Sequence, residues 1–267
     1  MSAHHPLPSP LRSFAVDLLH VCVFRDRKTT GAAAADDCAD AIRRILETRD
    51  QCRIVFAAAP SQNELLAGLV SARDIDWSRV SAFHMDEYAG LPAGHPGRFG
   101  EFLRRAIFSR LPFGRVEYLS PTPTSRGEPA AAEAERYAAL LAEAPIDIVC
   151  LGVGENGHIA FNDPANADFA DPLAVKEVEL DHVCRLQQVH DGCFSSLAEV
   201  PATALTLTVP TLVSGGELFC VVPGSAKAGA VRAMLNGPVS PACPATALRN
   251  HPACALYLDA DSAGGLA

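Results

Sequence analysis

The chain has 267 residues, of which 49% are hydrophobic and 20% are charged, and its formal net charge is -9 at pH 7. This length allows one large α/β domain or two small ones, and the composition is typical of a soluble globular protein. The acidic balance, without a basic block, argues against nucleic acid as a partner. There is no apolar run of membrane-spanning length and no basic-then-apolar leader, so a membrane partner is not expected either.

The cysteine pattern indicates the redox compartment. Nine cysteines are present, an odd number, and none forms a Cys-x-x-Cys pair. Several lie in apolar runs, which is typical of buried, reduced thiols and not of a disulfide framework. We therefore expect a cytoplasmic protein with a loose N-terminal segment over residues 1–15 and a single domain over residues 16–262.

Strand and helix patterns alternate along the chain. Strands are predicted at 19–25, 53–58, 80–85, 116–119, 146–151, 217–222 and 253–258. Helices are predicted at 32–49, from 60 onward, at 98–109, in the segment ending near 142, at 224–235 and at 244–248, with a proline-rich turn at 121–129. This order favours an α/β fold with a mostly parallel sheet.

The segment from Asp147 to Pro164 is the strongest candidate for a functional site. An apolar run through residue 151 predicts a buried central strand, and Gly154 lies among the glycines that follow, where a missing Cβ lets a ligand approach the backbone. Asn156, His158 and Asp163 come next. Ligands bind at the carboxyl ends of parallel strands, and a histidine beside amides and acids is typical of acid/base catalysis. A dinucleotide-binding loop and a purely structural histidine are the alternatives.

Other strand ends also carry polar residues. Asp86, with Glu87, follows the strand at 80–85, and a carboxylate there is costly unless it is paired or used. Ser61 and Gln62 open a helix whose free N–H groups can bind an anion. Lys227 lies in the first turn of a helix, against the helix dipole, which a bound anion would explain. The alternatives are a solvated acidic loop, an ordinary helix cap and a surface lysine.

Residues 162–190 form the least regular section. Prolines predict a loop over 162–172, which is a candidate lid. Residues 175–180 and 182–189 alternate enough to be extended. Arg185 is the notable cation of this section.

Several of these pieces match one family. The motifs are Phe83-His-Met-Asp-Glu-Tyr-Ala-Gly-Leu-Pro92, Leu151-Gly-Val-Gly-Glu-Asn-Gly-His-Ile-Ala-Phe-Asn-Asp-Pro164, Gly224-Ser-Ala-Lys227, and Pro244-Ala-Thr-Ala-Leu248 with His251-Pro252. Over about residues 20–260 the chain resembles the glucosamine-6-phosphate deaminase/isomerase family, within the 6-phosphogluconolactonase superfamily. The resemblance implies a Rossmann-like three-layer αβα sandwich with a mostly parallel central sheet and a lid segment at about 162–190.

The same resemblance implies roles for individual residues. Asp86 has the position of the base that moves a proton between C2 and C1 of the opened sugar. His158 has that of the histidine that opens the pyranose ring, with Asp163 as its acidic partner and Asn156 beside it. Lys227 matches a lysine that holds the substrate phosphate, and the further candidate contacts are Ser61, Gln62, Gly154 and Arg185.

The implied reaction is ring opening and aldose-ketose isomerisation of an amino-sugar 6-phosphate, with release of ammonia to give fructose 6-phosphate. The implied partner is that small molecule, no metal site and no organic cofactor are expected, and a homo-oligomer is compatible with the resemblance. Asn156 stands where the family often has aspartate, and Asp163 stands where glutamate is more usual. A 6-phosphogluconolactonase and a non-catalytic sugar-phosphate-binding protein are the alternatives, and Tyr88 favours the deaminase over the lactonase.

Overall fold

The computed structural model describes residues 9–121 and 130–266, so most of the predicted turn at 121–129 lies outside the described residues. The strands within them are β1 (Arg12–Val16), β2 (Leu19–Phe24), β3 (Cys52–Phe56), β4 (Val80–His84), β5 (Asp86–Tyr88), β6 (Arg115–Glu117), β7 (Ile148–Leu151), β8 (Val175–Glu179), β9 (Thr203–Leu207), β10 (Glu217–Val222) and β11 (Cys254–Asp259). The α-helices are α1 (Arg27–Thr48), α2 (Asn63–Ser71), α3 (Phe99–Leu103), α4 (Ala130–Ala142), α5 (His182–His190), α6 (Val209–Val213) and α7 (Ala228–Asn236). A π-helical turn, Arg104–Phe108, continues α3, and 3-10 turns occupy Pro60–Gln62, Trp77–Arg79, Ser225–Lys227 and Pro244–Asn250.

In the described part of the chain, eight strands form a central sheet in the order β1-β2-β11-β10-β7-β3-β4-β6. Neighbouring strands are parallel except for β1 and β2. Helices cover both faces of this sheet, so the predicted α/β sandwich with a mostly parallel central sheet is confirmed.

The two faces of the sheet belong to two separate hydrophobic cores. In β3, Ile54 and Phe56 pack in the core that includes α1, α2 and α3, whereas Val55 packs in the core that includes α4, α6 and α7. Successive side chains of β7 alternate in the same way. Because a strand covered on both faces buries every side chain, a continuous apolar run is the sequence pattern it requires.

A second, antiparallel sheet was not predicted. It contains β5, β9 and β8 in that order, and β9 pairs with both of its neighbours. Met85 alone separates the end of β4 in the central sheet from the start of β5 in the second sheet. The chain therefore changes sheets just before Asp86, which places this carboxylate at the junction of the two.

Two predictions about irregular segments were wrong. Residues 12–15 belong to β1, which pairs with β2, although a loose segment was predicted as far as residue 15. Residues 182–190 form α5 and are not extended, because Asp181 caps the helix by accepting a hydrogen bond from the N–H of Cys184. The buried positions 184, 187 and 188 of this helix have the spacing of one helical face.

Two further features concern membrane spans and cysteines. Across residues 9–121 and 130–266, no helix combines the length and the apolar character needed to span a membrane. All nine cysteines are free thiols, and all but Cys193 and Cys243 are buried.

Candidate active site

A cavity of about 320 Å³ opens at the carboxyl ends of four adjacent parallel strands, β10, β7, β3 and β4. Five residues predicted for the site line it: Ser61, Asp86, Gly154, His158 and Lys227. Each reaches the cavity from the loop or turn that follows a different strand end, except that Gly154 and His158 share the loop after β7. This is the edge at which a parallel α/β sheet binds its ligands.

The imidazole of His158 is oriented from behind by an amide. Its Nδ1 lies 2.8 Å from Oδ1 of Asn156 and 3.1 Å from Oδ1 of Asp163, and its backbone N–H donates to the same amide oxygen at 3.0 Å. An amide oxygen can only accept, so Nδ1 carries the proton. The neutral imidazole therefore presents Nε2 as an acceptor, and this nitrogen is the one available to the cavity.

The amide of Asn156 is itself fixed by two carboxylates. Its Nδ2 donates to Oδ1 of Asp163 at 2.9 Å and to Oδ2 of Asp181 at 3.1 Å. Burial alone would raise the pKa of Asp163, but the hydrogen bond and charge of His158, with the bond from Asn156, hold that pKa below its ordinary value. Asp163 is thus ready to stabilise a protonated His158, and Asp181 is a member of this group that sequence reasoning missed.

Gly154 has a steric reason to be glycine. A Cβ at this position would overlap the imidazole ring of His158, which lies directly against the Gly154 backbone. The glycine therefore makes room for the histidine, in addition to lining the cavity.

Asp86 is buried beside a second carboxylate, that of Glu87. Burial, and then the neighbouring charge of Glu87, raise the pKa of Asp86 well above its ordinary value, and its carboxylate lines the cavity. His84 positions the segment: its Nε2 accepts from the N–H of Leu119 at 3.0 Å, so its Nδ1 donates to the carbonyl of Asp86 at 2.9 Å. Burial lowers the pKa of His84 to about 4, which keeps this ring neutral.

Two cations also line the cavity. Lys227 is buried there, and burial lowers its pKa while the charges of Asp191 and Glu155 act in the other direction. Arg27, from the first turn of α1, lines the same cavity and contacts Oε1 of Glu64 at 2.8 Å. Sequence reasoning missed Arg27, because a single arginine at a helix start carries no signal of its own.

Two residues predicted to contact substrate do not line the cavity. Gln62 is buried behind Ser61, and its Nε2 lies 3.1 Å from the Ser61 hydroxyl oxygen and donates to the carbonyl of Val221. Arg185 donates through Nη2 to the carbonyls of Leu197 and Val200, both at 2.8 Å. Arg185 therefore holds the connection between α5 and β9, and it serves the cavity only indirectly.

Helix α5 contributes residues that were not predicted. Gln187, Gln188 and Asp191 line the cavity, and Oε1 of Gln187 accepts from the N–H of Glu155 at 2.9 Å. The helix is thereby bonded to the loop that carries His158. Its recognition in the sequence required reading Asp181 as a helix cap.

One buried group has the residue types of a metal site. Among the described residues, His158, Asp163 and Cys184 bring potential ligand atoms within 4.8 Å of one another. Nδ1 of His158 is a hydrogen-bond donor to Asn156 and Asp163, however, and burial raises the pKa of the Cys184 thiol, which keeps it protonated. These contacts are those of a hydrogen-bonded cluster.

Comparisons with known proteins identify the family. Residues 25–256 match the family model described as glucosamine-6-phosphate isomerases/6-phosphogluconolactonase. The glucosamine-6-phosphate deaminase of Pseudarthrobacter chlorophenolicus is 33% identical over 230 residues, covering 85% of this chain and 86% of the relative. That of Bacillus thuringiensis is 31% identical over 221 residues, covering 83% and 80%.

Solved structures show the same fold. A monomeric glucosamine-6-phosphate deaminase superposes with a TM-score of 0.80 at 25% identity, covering 92% of this chain and 98% of that one. The 6-phosphogluconolactonase of Thermotoga maritima superposes with a TM-score of 0.72 at 17% identity, covering 90% of this chain and 99% of that one. At this identity the comparison shows a shared fold only. This chain belongs to the glucosamine-6-phosphate isomerase/6-phosphogluconolactonase family.

Proposed function

We propose that this protein is a glucosamine-6-phosphate deaminase that converts an amino-sugar 6-phosphate and water into fructose 6-phosphate and ammonia. The observation that carries the proposal is one cavity lined by a buried carboxylate, Asp86, an imidazole with a free acceptor nitrogen, His158, and a buried lysine, Lys227. Free thiols support a reducing, cytoplasmic location.

Ring opening falls to His158. Its Nε2 takes the proton of the anomeric hydroxyl and returns a proton to the ring oxygen, which breaks the bond between C1 and that oxygen. The imidazolium that forms between these events keeps its Nδ1–H on Asn156 and Asp163, and the negative charge of Asp163 stabilises it.

Isomerisation falls to Asp86. Its carboxylate takes the proton from C2 of the open aldehyde and delivers a proton to C1, with the net transfer of a second proton from the nitrogen to O1, which yields an imine at C2 and a hydroxyl at C1. Water then adds to the imine carbon, the carbon–nitrogen bond breaks, and ammonia leaves with the ketone formed. Because burial raises the pKa of Asp86, its carboxylate is a stronger base than an exposed aspartate, which suits proton removal from carbon.

We assign the substrate phosphate to the part of the cavity lined by Lys227 and Arg27. Lys227 and Arg27 supply positive charge there, and the hydroxyl of Ser61 and the N-terminal turns before α2 and α7 supply donors. Arg27 is preferred to Arg185 because it lines the cavity and Arg185 does not, although Arg27 also pairs with Glu64 and donates to the carbonyl of Pro60.

The test is a direct assay with purified protein and glucosamine 6-phosphate, in which ammonia and fructose 6-phosphate are both quantified. Equal amounts of the two products are expected, and Asp86→Asn should lower turnover by about 100-fold or more while sugar-phosphate binding remains measurable. Hydrolysis of 6-phosphogluconolactone without ammonia release would favour the lactonase. Binding without turnover of either compound would favour a sugar-phosphate-binding protein.

A further inference from the structure

We propose that Asp181 is a positioning residue for His158, acting through Asn156, and that helix α5 thereby sets which nitrogen of the imidazole faces the substrate. The catalytic part of this inference rests on the deaminase function proposed above. Asp181 does not line the cavity, so its effect on substrate is exerted only through other residues.

Both carboxylate oxygens of Asp181 are used. Oδ1 accepts from the N–H of Cys184 at 2.6 Å, which caps α5, and Oδ2 accepts from Nδ2 of Asn156 at 3.1 Å. The second bond, together with the bond from the same Nδ2 to Asp163, fixes the direction of the Asn156 amide. Oδ1 of that amide is consequently turned toward His158 and accepts from both its Nδ1 and its backbone N–H.

The charges around this group explain why residue 156 carries an amide. Asp163 approaches from the loop after β7, Asp181 from the start of α5, and the uncharged thiol of Cys184 from the first turn of α5. Asn156 donates one hydrogen bond to each carboxylate and so lets two negative charges lie close together. An aspartate at 156 would place three carboxylates side by side, with His158 as the cation-forming partner in hydrogen-bond contact with them.

Helix α5 is attached to the histidine loop at a second point. Gln187 accepts from the N–H of Glu155, the residue just before Asn156. A displacement of α5 would therefore disturb both the loop and the amide that orients the imidazole. The position of α5, which lines the cavity, therefore influences which tautomer His158 adopts.

The first test is Asp181→Asn, because asparagine caps helices as well as aspartate does. Its single oxygen can serve Cys184, but its NH₂ group would then face the NH₂ group of Asn156, and this conflict favours rotation of the Asn156 amide. We expect kcat to fall about 10-fold or more with KM within about twofold, as for other residues that orient a ligating or catalytic histidine. An increase in KM without loss of kcat would overturn the proposal, since it would indicate a displaced helix.

The matched control is Asp76→Asn. Asp76 caps the turn Trp77–Arg79 with Oδ1 alone, which accepts from the N–H of Ser78, and it lies outside the cavity lining. Its replacement should leave kcat and KM unchanged.

The second test exchanges the amide and the acid. Asn156→Asp alone should lower both the thermal midpoint and kcat, because it puts a third carboxylate beside Asp163 and Asp181. Adding Asp181→Asn should recover part of both losses, since the new amide can donate to the new carboxylate. If the losses in the double variant equalled the sum of the losses in the two single variants, the proposal would be overturned.

A readout that needs no turnover separates this inference from the proposed function. The side-chain ¹⁵N signals of His158 should report Nδ1–H in the wild type and a shift toward Nε2–H in Asp181→Asn. An unchanged tautomer would overturn the positioning role even in an active enzyme. If the tautomer changes in Asp181→Asn but the wild type releases no ammonia, the deaminase function would be refuted and the positioning role would remain supported.

Discussion

Asp86 and Glu87 are adjacent in β5, but their carboxylates have different roles. Glu87 accepts from the backbone N–H groups of Tyr88, Phe99 and Gly100 and lies 3.4 Å from Nε of Arg98. Two of these donors belong to the first turn of α3, so Glu87 holds the start of that helix. Asp86 instead lines the cavity. Burial and then the charge of Glu87 raise the pKa of its carboxyl group.

Asp86→Asn should therefore stabilise the protein while abolishing turnover. A carboxyl whose pKa is raised by folding contributes stability below the ordinary range of aspartate, and this contribution is lost as the pH rises toward its folded pKa. At neutral pH the asparagine avoids that loss, so we expect the free energy of unfolding to increase by about 0.5–2 kcal/mol. Chemical denaturation at several pH values measures it, and the gain should shrink as the pH falls toward 4.

Glu87→Gln is the matched comparison. An amide cannot accept from all of the donors around Glu87, and it places an NH₂ group against the N–H groups of α3. The free energy of unfolding should fall by about 1–3 kcal/mol. If both substitutions changed stability in the same direction, the assignment of one carboxylate to the site and the other to the helix would be wrong.

Gly154→Ala tests the contact between the loop and His158. The added Cβ would overlap the imidazole, so the ring must move away from Asn156 and Asp163. We expect kcat to fall at least 10-fold, with little change in the thermal midpoint, in steady-state assays of ammonia release. Gly229→Ala is the control, since a Cβ there meets no atom within 4 Å and helix α7 should gain about 0.5–1 kcal/mol.

At the scale of elements, α5 shows what the sequence could and could not predict. The strands that approach the cavity were predicted because fully buried strands have continuous apolar runs. The helix α5 was missed because its exposed face carries His182 and Val183 and only three of its residues are buried, so its apolar periodicity is weak. Gln187 and Gln188, which face the cavity, were missed with it.

The position of α5 also leads to a prediction. Because Gln187, Gln188 and Asp191 line the cavity, a bound sugar phosphate contacts this helix and should suppress its local opening. Amide hydrogen exchange in residues 182–190 should slow at least fivefold with an open-chain analogue such as 2-amino-2-deoxyglucitol 6-phosphate. Exchange in α1 residues remote from the cavity, near Thr48, should not change. Equal rates in α5 with and without the analogue would argue against a role for this segment as a lid.

At the scale of the whole molecule, residues far apart in the sequence meet because the parallel strands share one carboxyl edge. Asp86 and His158 were predicted from their places after strand ends, and Lys227 from its place in the first turn of a helix and from the family resemblance; all three line one cavity. Arg27 and Asp181 were not predictable from spacing. The contribution of Arg27 depends on where the first turn of α1 lies beside the 3-10 turn Pro60–Gln62, and that of Asp181 depends on the second sheet bringing α5 to the loop after β7.

Ligand binding should stabilise the molecule as a single unit, because the cavity walls come from strands at the centre of the sheet. At 100 times its dissociation constant, a ligand stabilises the folded state by about 2.7 kcal/mol, which corresponds to a rise of about 5 °C in the thermal midpoint. The open-chain amino-sugar phosphate analogue should produce this rise in one cooperative transition. Lys227→Met should remove most of it at the same concentration, because the variant loses a buried ammonium that lines the cavity. An undiminished shift in Lys227→Met would place the phosphate elsewhere.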